Sequence, residues 1–159
     1  MKIFLTNTIM GKKYTPSATD SVRTPNIILK FLKRKYECDT MFDPCPYNPN
    51  YTVDGLMLDW RLEARKLGTN TVFVNPPYST ARKWIQKSTK YEDLTIILLI
   101  KNEALGSKYF SKINTKSDII FVTPHVTFKN YDKKARFSSL IMVFHPLATN
   151  SFEFWNYED

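Results

Sequence analysis

Four consecutive residues, Asn75-Pro76-Pro77-Tyr78, carry the sharpest chemical pattern of the sequence. Two prolines in a row stiffen the backbone and lack amide N–H groups, which leaves carbonyl oxygens that point outward as acceptors. The side-chain oxygen of Asn75 beside such a carbonyl offers two acceptors to the two hydrogens of an exocyclic amine. Tyr78 offers a flat aromatic face on which an extruded base can stack. The alternative is a rigid turn between two elements, and the setting of the motif favours the chemical interpretation.

The sequence predicts the elements that position this motif. Thr71–Val74, directly ahead of it, is β-branched and aromatic, which is typical of a strand, and Ser79 can cap a helix that follows. Leu94–Ile100 is apolar apart from Thr95, the pattern of a parallel strand covered on both faces. Ligands of an open α/β sheet bind outside the carboxyl ends of its strands, where a loop of this kind falls.

The rest of the chain continues the alternation of helices and strands. Thr24-Pro25 is typical of a helix start, with Thr24 as the N-cap and Pro25 as the first helical residue. Such alternation favours an α/β fold with a mostly parallel sheet. We expect one domain over all 159 residues, with an arm (1–21), a core (22–146) and an acidic aromatic tail (147–159). Further helices are predicted over Leu56–Leu67 and Glu103–Ile113, and further strands over Cys38–Asp43, Asp118–Val122, Val126–Phe128 and Ser138–His145.

Composition narrows the classes of function. The chain has 23 Lys+Arg against 15 Asp+Glu, and this net charge of +8 favours polyanionic partners. With 43% hydrophobic residues it can bury a core, and no apolar run approaches the roughly 18 residues of a membrane span. Cys38 and Cys45 fit no zinc or redox spacing, and residues 1–10 lack the pattern of a signal peptide. We therefore expect a cytoplasmic protein without a metal site.

The tetrapeptide resembles the catalytic motif of amino-group methyltransferases, which methylate the N6 amine of adenine or the N4 amine of cytosine. More of the chain is similar to one branch, the phage-type DNA N6-adenine methyltransferase (Dam) family, with features in family order over about residues 22–146. The matching features are Thr24-Pro25, Asp43-Pro44-Cys45, Asp54-Gly55-Leu56 with Trp60, Val72–Ser79 with Trp84, Ile97–Ile100, Val126-Thr127-Phe128, and Arg136-Phe137-Ser138-Ser139 leading into Leu140–Phe144.

The resemblance implies a compact Rossmann-like methyltransferase fold that depends on S-adenosylmethionine, with a mostly parallel sheet and an antiparallel C-terminal strand. It leaves room for fewer strands than the full form, because only about 30 residues separate Asp43 from Asn75. By the same resemblance, Asn75 and the Pro76 carbonyl hold the target amine and Pro77 keeps the loop rigid. Tyr78 stacks on the base, and the methyl group passes directly to the N6 amine of adenine in DNA.

Three alternatives stay open. The same acceptors fit the N4 amine of cytosine, and they also fit the amide of a protein glutamine, although the positive charge favours nucleic acid. The third alternative is a non-catalytic DNA-binding protein that retains the fold. It is favoured by the lack of the glycines usual in the cofactor loop, where Pro46-Tyr47-Asn48-Pro49 stands instead.

Cofactor contacts are a second implication of the resemblance. Asp43 at a strand end would receive the methionine ammonium, and the helix start at Thr24 would face the carboxylate. The structural alternatives are a turn capped by Asp43 and an ordinary helix start. Asp54 and Asp59 are candidates for the ribose hydroxyls or simply solvated acids, and Trp60 is interpreted as core. The implied cofactor residues are Thr24, Pro25, Asp43, Pro44, Cys45, Asp54, Asp59 and Asn75.

Basic residues flank the motif and a later loop. Next to a base-binding motif, six of them are candidates for contacts with DNA phosphates, although Lys-rich loops commonly only keep a surface solvated. His125 and His145 lack partners at ligand spacing and are interpreted as structural or surface residues. We expect adenine-containing DNA as the partner, no membrane, and leave a homo-oligomer open. The six residues are Arg82, Lys83, Lys129, Lys133, Lys134 and Arg136.

Overall fold

The computed structural model describes residues 22–48 and 50–158, so the predicted arm over residues 1–21 lies outside the described residues. No helix in these two stretches is long and apolar enough to cross a membrane. The helices are α1 (Asn26–Lys35), α2 (Trp60–Lys66) and α3 (Ala81–Ser88), and the strands are β1 (Thr71–Val74), β2 (Thr95–Lys101), β3 (Asp118–Thr123), β4 (Ser139–Phe144) and β5 (Phe152–Asn156).

The strands form one five-stranded sheet in the order β1-β2-β4-β3-β5. β1 pairs in parallel with β2, and β3 with β5, whereas β4 is antiparallel to both of its neighbours. Four strands therefore point the same way and β4 opposes them. Phe42 adds a single parallel bridge to Val72 beside β1. The predicted α/β fold with a mostly parallel sheet and an antiparallel strand is confirmed; the antiparallel strand is β4, and the C-terminal strand β5 is parallel to β3.

Both faces of the sheet are covered. One face packs against α2 and α3 and receives Ile96, Leu98 and Ile100 of β2; we call it the α3 face. The opposite face packs against α1 and receives Ile97 and Leu99; we call it the α1 face. These five side chains are at most 1% exposed, which confirms the prediction of a strand buried on both sides.

The predicted helix over Glu103–Ile113 is wrong. The chain forms two short 3₁₀ turns there, Asn102–Gly106 and Phe110–Lys112. The hydroxyl of Ser107 donates to the Ala104 carbonyl at 2.8 Å and accepts from the N–H three residues later at 3.2 Å. A serine that bonds the local backbone in this way competes with the hydrogen bonds of an α-helix.

Two predicted helix starts shift along the chain. The helix expected over Leu56–Leu67 begins at Trp60, because the side chain of Asp59 caps it there. The first helix begins at Asn26, with a proline in the capping position and no side-chain cap. Thr24 is therefore not the N-cap, and its hydroxyl is used elsewhere.

Two predicted strands are reduced or absent. Of Cys38–Asp43, the structure keeps the single bridge at Phe42. Val126–Phe128 forms no strand, although Val126 and Phe128 are both buried in the α1 face. The burial of these apolar side chains without a strand partner explains why the sequence pattern favoured a strand.

The C-terminal tail extends the sheet. β5 pairs in parallel with β3, and the ring of Trp155 stacks on Phe31 of α1 with 3.7 Å between ring centroids. Lys35, the last residue of α1, forms an ion pair with Glu153 at 2.6 Å. The tail thus fastens the C-terminal half of α1 to the sheet.

Candidate functional site

Three neighbouring strands bring polar residues to one edge of the sheet. β1 and β2 both end there and the antiparallel β4 begins there, so Asn75, Lys101 and Ser139 share this edge. The bridge at Phe42 runs parallel to β1, so Asp43 leaves the sheet on the same side. We call this side the binding edge, because open α/β sheets bind ligands at the carboxyl ends of their strands.

The amide of Asn75 is oriented by two contacts with the segment that precedes α1. Its Nδ2 donates to the Val22 carbonyl at 2.6 Å and to the hydroxyl of Thr24 at 3.0 Å. Its Oδ1 is buried and accepts no hydrogen bond from a described residue. Because a backbone carbonyl can only accept, the nitrogen must be the atom that faces Val22. The acceptor end of Asn75 is left for an incoming donor.

The carbonyl groups of the two prolines in the motif differ in their hydrogen bonding. The Pro77 carbonyl accepts from the N–H of Thr80 at 3.0 Å and from its hydroxyl at 3.3 Å. The Pro76 carbonyl accepts from no described residue. Both prolines are buried, so the loop is rigid where it passes Asn75. The motif therefore has one amide oxygen and one backbone oxygen that accept no hydrogen bond from a described residue.

Tyr78 stands in an aromatic corner at the binding edge. Its ring meets Phe137 edge-on, with 5.1 Å between centroids and 75° between planes. The ammonium of Lys101 lies 4.4 Å from the centroid of each ring. Both rings pack against the α1 face. The corner combines two aromatic walls with one cation.

Asp43 carries a partly buried carboxylate that has no cation beside it among the described residues. Its Oδ1 accepts from the N–H of Cys45 at 2.8 Å, and it forms no ion pair with a described residue. Burial raises the pKa of Asp43 to about 7, against the lowering effect of that one hydrogen bond. The carboxylate caps a turn, as the structural alternative held. It also lacks the positive partner that would favour its charged form.

Gly55 presses a second loop against this turn. A Cβ at Gly55 would lie 1.9 Å from the carbonyl oxygen of Pro44, a distance that leaves room for glycine alone. The close contact brings Asp54 near the Cys45 thiol. The pKa of that thiol rises to about 12 through burial, with further contributions from Asp43 and Asp54. Two acidic side chains, Asp43 and Asp54, therefore lie near the Cys45 thiol.

The two ribose candidates both have structural contacts. Asp54 accepts from the N–H of Leu56 at 2.9 Å, and Asp59 accepts from the first N–H groups of α2 at 3.0 and 3.3 Å. Trp60 is fully buried, and its indole N–H donates to the Gly55 carbonyl at 2.8 Å. The burial of Trp60 confirms its interpretation as core, and the ribose assignments stay predictions.

The six basic candidates fall into two groups. Three are engaged within the chain: Arg82 lies 4.8 Å over the ring of Tyr109, Lys129 donates to the Asn26 side chain, and Lys134 pairs with Glu158 at 2.8 Å. The others are exposed and form no ion pair within the part of the chain that the structure describes. These three are Lys83, Lys133 and Arg136.

Three residues at the binding edge were missed or given another role by the sequence analysis. Thr24 orients Asn75 instead of capping a helix. Lys101 belongs to the aromatic corner, and a cation directly after an apolar strand was the signal that could have found it. Ser139 is 3% exposed and its hydroxyl bonds no described residue. A lone polar residue at the head of an otherwise apolar strand was its signal.

A cleft of about 660 Å³ lies away from this site, next to the start of β1. It is open to solvent and contains none of the predicted site residues. In the stretches 22–48 and 50–158, no group of three His, Cys, Asp or Glu is placed to hold a metal ion. The cleft is lined by Glu37, Cys38, Asp39, Thr40, Arg65, Gly68, Thr69 and Asn70.

The fold is that of an α/β protein, and its candidate ligand site lies at the carboxyl ends of the strands. The model of the DNA N-6-adenine-methyltransferase (Dam) family matches residues 12–151, and the chain belongs to this family. The resemblance noted in the sequence is thereby confirmed.

Two further comparisons add little to this assignment. The crystal structure of a predicted O-methyltransferase from Agrobacterium tumefaciens matches with 13% identity and a TM-score of 0.36, over 84% of this chain. The match spans 64% of the length of that protein, and so loose a likeness carries no argument about activity. No curated protein matches the chain.

Proposed function

We propose that the chain transfers a methyl group from S-adenosylmethionine to the exocyclic N6 amine of adenine in DNA. Family membership supports the reaction class, and the orientation of Asn75 is the observation that carries the proposal. Its donor end is bound by Val22 and Thr24, and its buried Oδ1 has no partner among the described residues. Leaving such an acceptor unpaired costs about 1–3 kcal/mol, which an incoming amine would recover.

Asn75 Oδ1 and the Pro76 carbonyl would each accept one hydrogen of the target amine. Both hydrogen bonds would draw the N–H groups out of the plane of the base, so the nitrogen lone pair would leave its conjugation with the ring and become available as a nucleophile. S-adenosylmethionine supplies an electrophilic methyl group on a sulfonium. The amine nitrogen held by Asn75 and Pro76 would accept this methyl group as its bond to the sulfonium sulfur breaks, and the proton that the nitrogen then loses would pass to solvent. Positioning and preorganised acceptors supply the catalysis, and no covalent intermediate with the protein is needed.

Tyr78 and Phe137 would hold the base in the plane that presents its amine to Asn75. Their rings stand at 75°, so one ring can stack on the base while the other closes its edge. Base stacking on an aromatic side chain contributes about 1–3 kcal/mol per base. That energy offsets part of the cost of taking the base out of the duplex.

Asp43 fits the ammonium of the methionine moiety. Its carboxylate lies at the binding edge and has no cation among the described residues, and burial holds its pKa near 7. A bound ammonium would favour the ionised form and lower that pKa. Thr24 and Asp54 lie at the same edge and could contact other parts of the cofactor, whereas Asp59 is occupied with capping α2.

Labelled methyl transfer tests the proposed activity. DNA is incubated with the full chain and S-adenosylmethionine carrying a labelled methyl group, and its nucleosides are separated by mass spectrometry. We expect the label in N6-methyladenine. Label in N4-methylcytosine instead would assign the reaction to the other amine. Unlabelled DNA from a folded protein that binds both DNA and cofactor would contradict the proposal.

DNA contact by the exposed cations is proposed alongside. Lys133 and Arg136 are exposed and form no described ion pair, whereas Lys134 between them is paired with Glu158. Neutralising Lys133 and Arg136 together should make the slope of log affinity against log salt shallower by roughly two units, at about 0.9 per phosphate contact. Neutralising Lys134 alone is the matched control and should change the slope less. Equal slopes in all variants would remove this loop from the DNA footprint.

A further inference from the structure

Lys101 holds a charge at the binding edge that no described carboxylate neutralises. The residue is half-buried, and its ammonium lies 4.4 Å from the ring centroids of both Tyr78 and Phe137. It forms no ion pair with any residue of 22–48 or 50–158. A partly desolvated cation favours an anion over aromatic faces when one is offered, because charge-assisted bonds are the stronger interaction.

The position of this ammonium conflicts with stacking. A ring stacked on Tyr78 would have its centroid about 4.5–7 Å from that of Tyr78, and the Lys101 ammonium already lies at the near limit of this range. A base and the ammonium cannot both occupy this face. Methyl transfer also places positive charge on the amine nitrogen, which a nearby ammonium would oppose.

Polar atoms lie under the corner that Lys101 fills. Ser139 stands directly opposite Lys101 in the ladder between β2 and β4, so their side chains share one face of the sheet. The Ser139 hydroxyl is buried and bonds no described residue, as is true of Asn75 Oδ1. A departing ammonium therefore leaves an unbonded hydroxyl on the neighbouring strand, directly opposite Lys101.

We propose that an extruded base displaces the Lys101 ammonium from this corner and that the ammonium then pairs with a phosphate flanking the extruded nucleotide. Lys101 thereby becomes a positioning residue of the target strand. The inference rests on the proposed function, because it requires a base that enters the corner. The inference depends on Lys101 and the rings of Tyr78 and Phe137, which enclose one space. It does not depend on the exposed basic loops.

Salt-dependent binding to two duplexes tests the proposal. One duplex carries an adenine opposite an abasic site, which leaves the stack readily, and the other is the same sequence fully paired. Wild type, Lys101→Met, Lys101→Arg and the control Lys116→Met are compared, with thermal melting to verify folding. Lys116 is an exposed lysine next to the start of β3, outside the binding edge.

We expect Lys101→Met to make the salt slope shallower by about 0.9 on the duplex with the unpaired adenine and to leave the paired duplex unchanged. Lys101→Arg should restore the slope, and Lys116→Met should affect both duplexes alike. A slope of Lys101→Met equal to wild type on the unpaired adenine would overturn the inference, even with tighter binding. A wild type that binds both duplexes equally would contradict the base pocket itself, and the inference with it.

Discussion

Asp43 and Asp118 stand at opposite edges of one sheet, and their pKa values are shifted in opposite directions. Burial raises the pKa of Asp43 to about 7, and a single hydrogen bond from Cys45 opposes it. Burial also acts to raise the pKa of Asp118, but bonds from His145 at 2.7 Å and from two backbone N–H groups at 3.0 Å lower it to about 2. The carboxylate at the binding edge lacks partners that the other carboxylate has.

The two carboxylates differ in whether the folded chain supplies their hydrogen-bond partners. Asp118 connects the start of β3 to the chain after β4, because its carboxylate accepts hydrogen bonds from His145 and Thr149. The binding edge keeps an acidic group, a buried amide oxygen and a cation whose natural partners are absent from the described chain. Polar and charged groups that lack partners and cluster at one edge of a sheet are typical of a ligand site.

The largest expected effect concerns Asn75. Asn75→Ala removes the buried acceptor and should lower methyl transfer by about 100- to 1,000-fold, as for loss of a preorganised polar group. Asn70→Ala, at the other end of β1, is the matched control and should keep the wild-type rate. The rate is measured per folded molecule on DNA with saturating cofactor. Methyl transfer by Asn75→Ala at near the wild-type rate would show that the unpaired oxygen of Asn75 has no part in catalysis.

The next effect concerns the charge of Asp43. Asp43→Asn keeps an oxygen that can accept from the N–H of Cys45, so the turn survives while the negative charge is lost. Binding of S-adenosylmethionine should weaken by about 1.5–3 kcal/mol, or roughly 10- to 150-fold. Calorimetry measures the dissociation constant, with the exposed Asp39→Asn as control. An unchanged constant would leave Asp43 as a turn cap only.

A smaller effect is expected on stability at the opposite edge. The folded pKa of Asp118 lies below its unfolded value, so its ionised form stabilises the fold above about pH 4 and this contribution disappears as the pH falls toward 2. Asp118→Asn should therefore unfold more easily at pH 7 by up to about 2.5 kcal/mol. Denaturant unfolding at several pH values should show the gap narrowing with acid. A gap independent of pH would mean that the charge does not matter there.

The smallest effect sharpens the contrast between the two acids. The folded pKa of Asp43 lies above its unfolded value, so its contribution is favourable below about pH 4 and is lost as the pH rises through about 7. Asp43→Asn should therefore be more stable than wild type at pH 8 without cofactor, by about 1 kcal/mol or more. Thermal unfolding at pH 5 and pH 8 measures it. A variant less stable than wild type at pH 8 would show that the carboxylate has a partner.

Local sequence patterns predicted the elements that surround the motif. The strand before Asn75, the buried strand β2 and the alternation of elements follow from residue types within ten positions, and each was predicted. The start of α1 was missed by one residue, because the Thr24 hydroxyl accepts a hydrogen bond from Asn75, 51 positions away. Helix starts respond to such competition, and a single sequence does not display it.

The aromatic corner required contacts that the sequence does not reveal. Tyr78 and Phe137 were both within stretches that resembled the family, but only the β2–β4 ladder brings Lys101 between them. The tail was predicted as an acidic aromatic segment, and its pairing with β3 depends on a partner strand over 30 positions earlier. Long-range pairing is decided by the packing of the whole sheet, which local propensity does not encode.

Helix α1 connects the C-terminal tail of the chain to the candidate site. Trp155 and Glu153 hold the C-terminal half of this helix, while Thr24, just before its start, orients the amide of Asn75. The family match ends at residue 151, ahead of both anchors. A protein trimmed to that boundary would keep every motif residue but lose the two contacts that hold the C-terminal half of the helix that follows Thr24.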